Sequence, residues 1–238
     1  MSESKIARFV DIEACKSIFS EKSTFVLRSP EHYRRLYETS YGARGDRNEG
    51  CADTVDGGTA EFLSFVVSCW TKLDAMEPTP DEWAIFKENE QNIVAIVSTP
   101  SKVCEFLDRA LETNNERTER RFPFHPVRHE EVNYGPLEVN HTNIADVVPP
   151  TKDPKFAGQK EYRFVLKYAE HPHVIDSYIF CAGVDYMEKC FVNPEIGGKE
   201  KQMLWCIIGN AMAGYGDFSD KKNMRDIIAN VDVLFDCR

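Results

Sequence analysis

A carboxylate and a guanidinium lie two residues apart in a segment that alternates like a β-strand, so Glu161 and Arg163 share one face. Gln159 precedes Glu161 by two positions, and Lys160 stands between them. In a polar cleft, Glu161 could serve as an acid, a base or an acceptor for a ribose hydroxyl, with burial tuning its pKa. The alternative is a solvated surface pair, which contributes little to stability. We therefore take Glu161 and Gln159 as candidate catalytic residues and Arg163 as a candidate ligand-binding residue.

Further polar residues end hydrophobic runs and precede helix starts. Arg28 follows one such run, and Ser98 and Thr99 follow another. Strand ends that lead into helix N-termini are suitable places to hold an anion or a nucleotide. The alternative is plain helix capping, which both segments satisfy without a ligand. Arg28, Ser98 and Thr99 are candidate cofactor-binding residues.

Aromatic side chains are grouped near the ends of two of these elements. Trp70 ends a hydrophobic run beside Thr71, and Trp83 and Phe86 are spaced for one face of a short helix. They could form an aromatic wall to a binding site, with Trp70 as a candidate cofactor contact. The alternative is core packing, because large aromatic side chains dominate protein cores.

The other motifs in the sequence predict neither a phosphate-binding loop nor a metal site. Residues 209–216 read GNAMAGYG, which does not match Gly-x-Gly-x-x-Gly and predicts a turn. His125 and His129 are four residues apart, but Pro126 between them prevents a helical metal-binding face. We expect no metal cofactor.

Hydrophobic runs predict the elements that must position these residues. Strands are predicted at 24–29, 62–70, 92–98, 127–134, 161–166, 177–182, 204–208 and 231–235. Ser29-Pro30 and Thr99-Pro100 each combine an N-cap residue with a proline at the first helical position, which predicts two helix starts. Further helices are predicted at 82–91 and 219–229, and residues 42–60 are predicted to form a long polar loop.

Strands and helices alternate early in the chain, and strands cluster later. This order favours an α+β fold, with a mixed or largely antiparallel sheet and flanking helices. We expect a single domain over residues 1–238.

Composition restricts the partners. The 238 residues carry a formal net charge of -10, which disfavours bulk nucleic-acid binding. No hydrophobic run reaches the length of a membrane span, and the first residues do not resemble a signal peptide, so we expect no membrane contact and a cytoplasmic location. The eight cysteines are then expected to be reduced thiols, with Cys69, Cys181 and Cys206 in the core.

The order of several motifs over residues 62–166 resembles a bacterial and phage domain-of-unknown-function family. The shared motifs are Cys69-Trp70, Trp83-x-x-Phe86, an Ala-Ile-x-Ser-Thr strand end at 95–99, Lys152-x-x-x-Phe156 and Glu161-Tyr162-Arg163. The chain departs from that family's pattern at Phe86, where a tyrosine is usual, and at Gln159, where an acid is common. It also lacks the family's amino-terminal Asn-Asp-Pro-Phe turn.

A looser similarity is to ADP-ribosyltransferases of the Arg–Ser–Glu type, which use NAD. Arg28, Ser98-Thr99 and Glu161 occur in the order of that pattern, and Gln159 fits its Gln/Glu-x-Glu element. The resemblance implies that the arginine holds the NAD phosphates and that the Ser-Thr strand shapes the nicotinamide pocket. The glutamate then binds the ribose 2′-hydroxyl and stabilises an oxocarbenium-like state in a dry cleft.

Two functional hypotheses follow. One is an ADP-ribosyltransferase-like enzyme or NAD glycohydrolase, with NAD as cofactor. The other is a non-catalytic binding or regulatory protein, in phage–host conflict, with a protein partner. The second rests on the absence of a strong catalytic motif and on the long acidic, glycine-rich loop.

Overall fold

The structure, a computed structural model, describes most of the chain but not all of it. The described residues are 3–19, 24–39, 49–54, 56–62, 64–84, 94–117, 127–135, 138–139, 151–152, 154–167, 177–181 and 184–214. The predicted helix at 219–229, the predicted strand at 231–235 and Phe86 lie outside them.

The described residues form an α+β fold, as predicted, in which antiparallel strand pairs predominate and helices flank the sheet. The strands are β1 (Lys5–Val10), β2 (Thr24–Arg28), β3 (Cys51–Thr54), β4 (Thr59–Glu61), β5 (Phe65–Leu73), β6 (Val94–Ser98), β7 (Arg128–Glu131), β8 (Asn133–Tyr134), β9 (Glu138–Val139), β10 (Thr151–Lys152), β11 (Glu161–Lys167), β12 (Ser177–Cys181) and β13 (Lys189–Val192). The helices are α1 (Ile12–Ile18), α2 (Pro30–Thr39), α3 (Pro80–Ala84), α4 (Pro100–Arg117) and α5 (Gly198–Gly214), with a 3-10 helix at Pro154–Gln159.

The chain divides into two compact units, each built from segments that are separate in sequence. The first unit comprises Met1–Phe25, Lys72–Phe106 and Phe180–Arg238, and the second comprises Val26–Thr71 and Leu107–Ile179. The chain therefore passes from one unit to the other four times.

In the first unit, β6 lies between β1 and β13, and both pairings are antiparallel. A hydrophobic cluster covers one side, where the Phe9 ring meets Trp83 edge-on at 5.0 Å. A second aromatic group joins Phe25, Phe106 and Tyr186. Trp83 is thus a core residue, as the packing interpretation predicted.

In the second unit, β5 lies between β2 and β11, and β7 pairs with the other edge of β11, all antiparallel. Phe65, Val67 and Val165 pack on one face of this sheet. The second unit also contains two small sheets. In one, β3 pairs with β4 and β9, and in the other, β8 pairs with β10.

Two helix starts follow the predicted capping chemistry. The Ser29 hydroxyl accepts a hydrogen bond from the His32 N–H (3.2 Å), and the Thr99 hydroxyl accepts one from the Lys102 N–H (3.4 Å). Pro30 and Pro100 occupy the first helical positions, where a missing N–H costs nothing.

Three predicted elements differ in the structure. Residues 204–208 are not a strand but lie within α5, because a short hydrophobic run does not by itself distinguish a strand from a buried helix segment. The same helix includes Gly209–Gly214, so the described part of the predicted turn at 209–216 is helical. The predicted loop at 42–60 contains β3 and β4, which form a hairpin with Gly57 at a positive φ of 84°.

The predicted strand at 127–134 is interrupted. It forms β7 and β8, and Val132 between them donates its N–H to the Glu161 carbonyl (2.9 Å). Strand β1 was not predicted, because Lys5 and Arg8 interrupt its hydrophobic pattern.

The cysteine prediction was partly wrong. Cys206 is exposed, so it is not a core residue, whereas Cys69 is partly buried and packs against the cluster of Phe65, Val67 and Val165. Cys15 and Cys190 are the buried cysteines among the described residues. The burial of Cys181 lies outside the description.

Candidate functional site

Strand β11 brings the predicted pair Glu161 and Arg163 into the interior of the second unit. Arg163 is fully buried and Glu161 is 5% exposed, so the interpretation as a solvated surface pair is wrong. The antiparallel register places Glu161 opposite Thr71 and Arg163 opposite Cys69, on the same face as the hydrophobic Val165–Val67 pair. A hydrophobic strand face therefore becomes ionic at its end.

Four charged side chains meet on this face, and we call them the ionic cluster: Glu49, Lys152, Glu161 and Arg163. The Arg163 guanidinium donates to both Glu49 carboxylate oxygens, with Nη1–Oε1 at 2.7 Å and Nη2–Oε2 at 2.8 Å. Its Nε donates to Glu161 Oε1 at 2.7 Å. Two cations and two carboxylates are thus paired in a charge-balanced network.

Lys152 completes the network and ties Gln159 into it. Its ammonium donates to Glu161 Oε2 (2.7 Å) and to Gln159 Oε1 (2.9 Å), and it lies 4.6 Å from the centre of the buried Phe156 ring. The structure therefore brings Gln159, Glu161 and Arg163 together through Lys152, a residue of the Lys152-x-x-x-Phe156 motif for which no role was predicted.

The backbone before Glu161 is bent to make this possible. Lys160 adopts a positive φ of 43°, which is uncommon for a residue with a side chain and costs on the order of 1 kcal/mol. Its N–H donates to the Ala157 carbonyl (3.1 Å), and the following Glu161 N–H donates to Tyr134 Oη (2.6 Å). This turn lets the side chains of Gln159 and Glu161 approach the same ammonium group.

Arg34 of α2 is hydrogen-bonded to the segment that carries Glu49. Its Nε donates to the Glu49 carbonyl (2.6 Å), while its two terminal nitrogens donate to Cys51 Sγ (3.0 Å) and Glu61 Oε1 (3.1 Å). Arg34 thereby fixes the backbone of Glu49 and the β3–β4 hairpin together.

The pKa values of the two carboxylates of the ionic cluster are shifted in opposite directions. Burial by itself raises the pKa of Glu161, but the nearby Arg163 and Lys152 charges outweigh it and hold that pKa at about 2. Burial raises the pKa of Glu49, and Arg163 opposes this only in part. Glu161 is therefore a permanent anion, while the ionised form of Glu49 is the costly one.

The neighbouring cysteine is not an activated nucleophile. Burial and the Glu161 charge raise the pKa of the Cys69 thiol, which lies opposite Arg163 on the neighbouring strand. A nucleophilic cysteine needs the opposite environment, one that favours the thiolate.

The other predicted residues take different positions. Arg28 pairs with Val67 and so shares the face of Glu161, but it lies four residues from Thr71 along β5, about 14 Å. Trp70 pairs with Tyr162 on the opposite face and is buried. Ser98 belongs to the first unit, where its hydroxyl donates to the Tyr186 carbonyl (2.5 Å).

Sequence reasoning missed Glu49, Tyr134 and Cys69 as members of this site. Glu49 lies 114 residues from Arg163, inside a segment predicted to be a polar loop, and no local spacing links the two. The Lys152-x-x-x-Phe156 motif was a usable signal, because its two side chains contact each other beside Glu161.

Comparison with protein-family models, with curated proteins and with solved structures gave no match. The resemblances drawn from the motifs therefore stay predictions. Within the described residues, no helix is long and hydrophobic enough to cross a membrane. The same part of the chain shows no group of three His, Cys, Asp or Glu side chains arranged to hold a metal ion.

Proposed function

We propose that the chain is a non-catalytic binding protein, and that the ionic cluster organises the part of the second unit that binds. One observation carries this proposal: both oxygens of Glu161 are already bonded, one to Arg163 and the other to Lys152, inside a charge-balanced and buried network. A catalytic carboxylate must instead present an oxygen to its substrate.

The titration of Glu161 supports the same proposal. A general acid or base works best with a pKa near the operating pH, whereas the pKa of Glu161 is about 2. The fixed positive charges beside it also neutralise the field that a bare carboxylate offers to a developing oxocarbenium ion.

The sequence-based hypothesis of a regulatory role in phage–host conflict is compatible with this proposal and names a protein as the partner. A binding protein needs a rigid surface, and a buried ion-pair network fixes the geometry of the segments that it joins. Here those segments are β10, β11 and the residues around Glu49.

A second candidate is the ADP-ribosyltransferase-like enzyme or NAD glycohydrolase. The observation in its favour is that Gln159 and Glu161 contact the same ammonium group, with Arg28 on the same sheet face. In that case the Glu161 carboxylate accepts a hydrogen bond from a ribose hydroxyl of NAD, and Arg28 and Arg163 bind the NAD phosphates.

One experiment separates the two candidates. Purified wild type and Glu161→Gln are titrated with NAD in a calorimeter, and nicotinamide release is followed by chromatography. The binding proposal expects no nicotinamide release from either protein, whether or not NAD binds. Release of nicotinamide by the wild type that is lost in Glu161→Gln would overturn it in favour of the enzyme.

The partner itself is sought with tagged full-length protein. A captured partner is purified and titrated against the wild type, and we expect a saturable complex of fixed stoichiometry. A captured protein that gives no saturable binding after purification would count against the proposal.

A further inference from the structure

We propose that Arg163 and Lys152 form an anion seat that Glu49 fills as an internal ligand, and that the natural occupant is the carboxylate or phosphate of a bound molecule. This inference rests on the proposed binding function and names the chemistry that the site recognises. Arginine pairs with carboxylates and phosphates through two parallel N–H···O bonds, and Glu49 satisfies that geometry at 2.7 and 2.8 Å.

The seat is built without Glu49. Arg163 is held from its own strand by Glu161, through the 2.7 Å bond from Nε, and Glu161 is held in turn by Lys152. The two terminal nitrogens of the guanidinium are thereby aimed at one position. Any planar group with two oxygens at that position receives both hydrogen bonds.

The charge of the two cations favours an anionic occupant at this position. Without Glu49, Glu161 is the one carboxylate of the ionic cluster that remains beside the two cations Arg163 and Lys152. Arg163 is fully buried, and an isolated buried charge is strongly unfavourable. An anion from solution then gains the pairing that Glu49 provides in this structure.

Glu49 reaches the seat from a segment that is separate from the strands that build it. Its backbone is fixed by Arg34, through the 2.6 Å bond from Nε to the Glu49 carbonyl. Weakening that attachment should make Glu49 easier to displace while leaving Arg163, Glu161 and Lys152 in place. Arg34 is therefore a positioning residue for the internal ligand.

The seat is tested by replacing its internal ligand in the full-length chain. Thermal unfolding of Glu49→Ala is measured with increasing acetate or inorganic phosphate, against chloride at equal ionic strength. A saturable rise in Tm is expected, of roughly 5–10 °C at about a hundredfold excess over the dissociation constant. Stabilisation by acetate assigns the seat to carboxylates, and stabilisation by phosphate assigns it to phosphates.

Two controls accompany this variant. Glu61→Ala removes a half-exposed carboxylate that also pairs with Arg34 (3.1 Å), and the response of its Tm to the anion should be no larger than that of the wild type. Glu49→Ala combined with Arg163→Met lacks the seat and should also show no dependence. If Glu49→Ala does not fold, Glu49→Gln replaces it, because the amide keeps one acceptor oxygen without the charge.

Displacement in the native protein is tested with Arg34→Ala, which keeps Glu49 but frees its backbone. We expect its Tm to respond to the anion at lower concentration than the wild type. Absence of any anion-specific shift in Glu49→Ala and Glu49→Gln would overturn the seat. An anion response in Glu49→Ala but in neither Arg34→Ala nor the wild type would overturn displacement. Nicotinamide release by the wild type would overturn the proposed non-catalytic function. The anion seat would still be tested separately, by the anion-dependent shifts in Tm.

Discussion

Arg163 joins the two carboxylates of the ionic cluster inside the second unit. It is fully buried, and its guanidinium donates charge-assisted hydrogen bonds to both oxygens of Glu49 and to Glu161. Burying a guanidinium is costly, and removing one member of such a network leaves an unpaired charge, at a cost of about 3–5 kcal/mol. The cluster therefore tolerates the loss of single members poorly, whatever it binds.

The ion pairs of Glu161 predict an acid-sensitive contribution to stability. The folded-state pKa of about 2 is below the usual value of 4.5, so the folded protein binds the proton less tightly than the unfolded chain. The contribution is complete above 4.5 and is lost as the pH falls towards 2, which amounts to about 3 kcal/mol. The raised pKa of Glu49 acts in the opposite direction, because protonation of that group favours the folded state.

Urea unfolding at several pH values measures this contribution. We expect wild type to be more stable than Glu161→Gln at neutral pH, with the difference shrinking as the pH falls below 4.5. Glu13→Gln, which alters the exposed pair with Lys16 (2.6 Å), serves as the matched control and should follow the wild type. A difference between wild type and Glu161→Gln that does not change with pH would contradict the assignment.

At the scale of elements, α5 shows how secondary structure decides which side chains reach the core. On a strand, residues 204, 206 and 208 point to the same face. On the helix, Leu204 and Ile208 are one turn apart and buried, and Cys206 turns outward and is exposed. The exposure of one thiol therefore distinguishes the two structures.

Alkylation of the native protein, read out by peptide mass spectrometry, checks this. Cys206 should be labelled rapidly, because its side chain is exposed, and the buried Cys15 and Cys190 should be labelled only after unfolding. Burial also raises the pKa of Cys190 to about 12, which keeps its thiol protonated and unreactive. Protection of Cys206 equal to that of Cys190 would favour the strand.

At the scale of the whole molecule, chain connectivity is the main feature. The first unit takes three segments of the chain and the second takes two, so neither is complete until the late strands have been made. Strand β6 needs β13 on one side, and β5 needs β11. Long-range pairing of this kind makes both units depend on most of the chain.

A fragment of residues 1–106 should therefore not fold, although it contains β1, β5 and β6. The fluorescence of Trp70 and Trp83, which are buried in the intact chain, should show no cooperative transition in urea. The full-length protein measured in parallel is the control. A sigmoidal transition in the fragment would show that an amino-terminal part folds on its own.

The net charge of the whole chain differs from that of the buried ionic cluster. The chain carries a net charge of -10, whereas the ionic cluster is balanced, with two cations and two carboxylates. The net charge therefore describes the remainder of the chain and gives no indication of what the buried cations can bind.

Local chemistry was sufficient to predict much of the fold. The Ser29-Pro30 and Thr99-Pro100 helix starts and the alternation of β11 depend on neighbours within a few residues, and the structure confirms each of them. The predicted α+β class followed from the order of such elements. Residues 204–208 were assigned wrongly because a short hydrophobic run satisfies both periodicities.

The sequence by itself determined that Glu161 and Arg163 share a strand face, because side chains alternate along a strand. Only the tertiary structure decided that this face is buried and that Glu49 pairs with Arg163 on it, because Glu49 and Arg163 are 114 positions apart in the chain. A surface pair and a buried network have the same local spacing. What separates them is the cost of removing charges from water, and that cost depends on every segment packed around them.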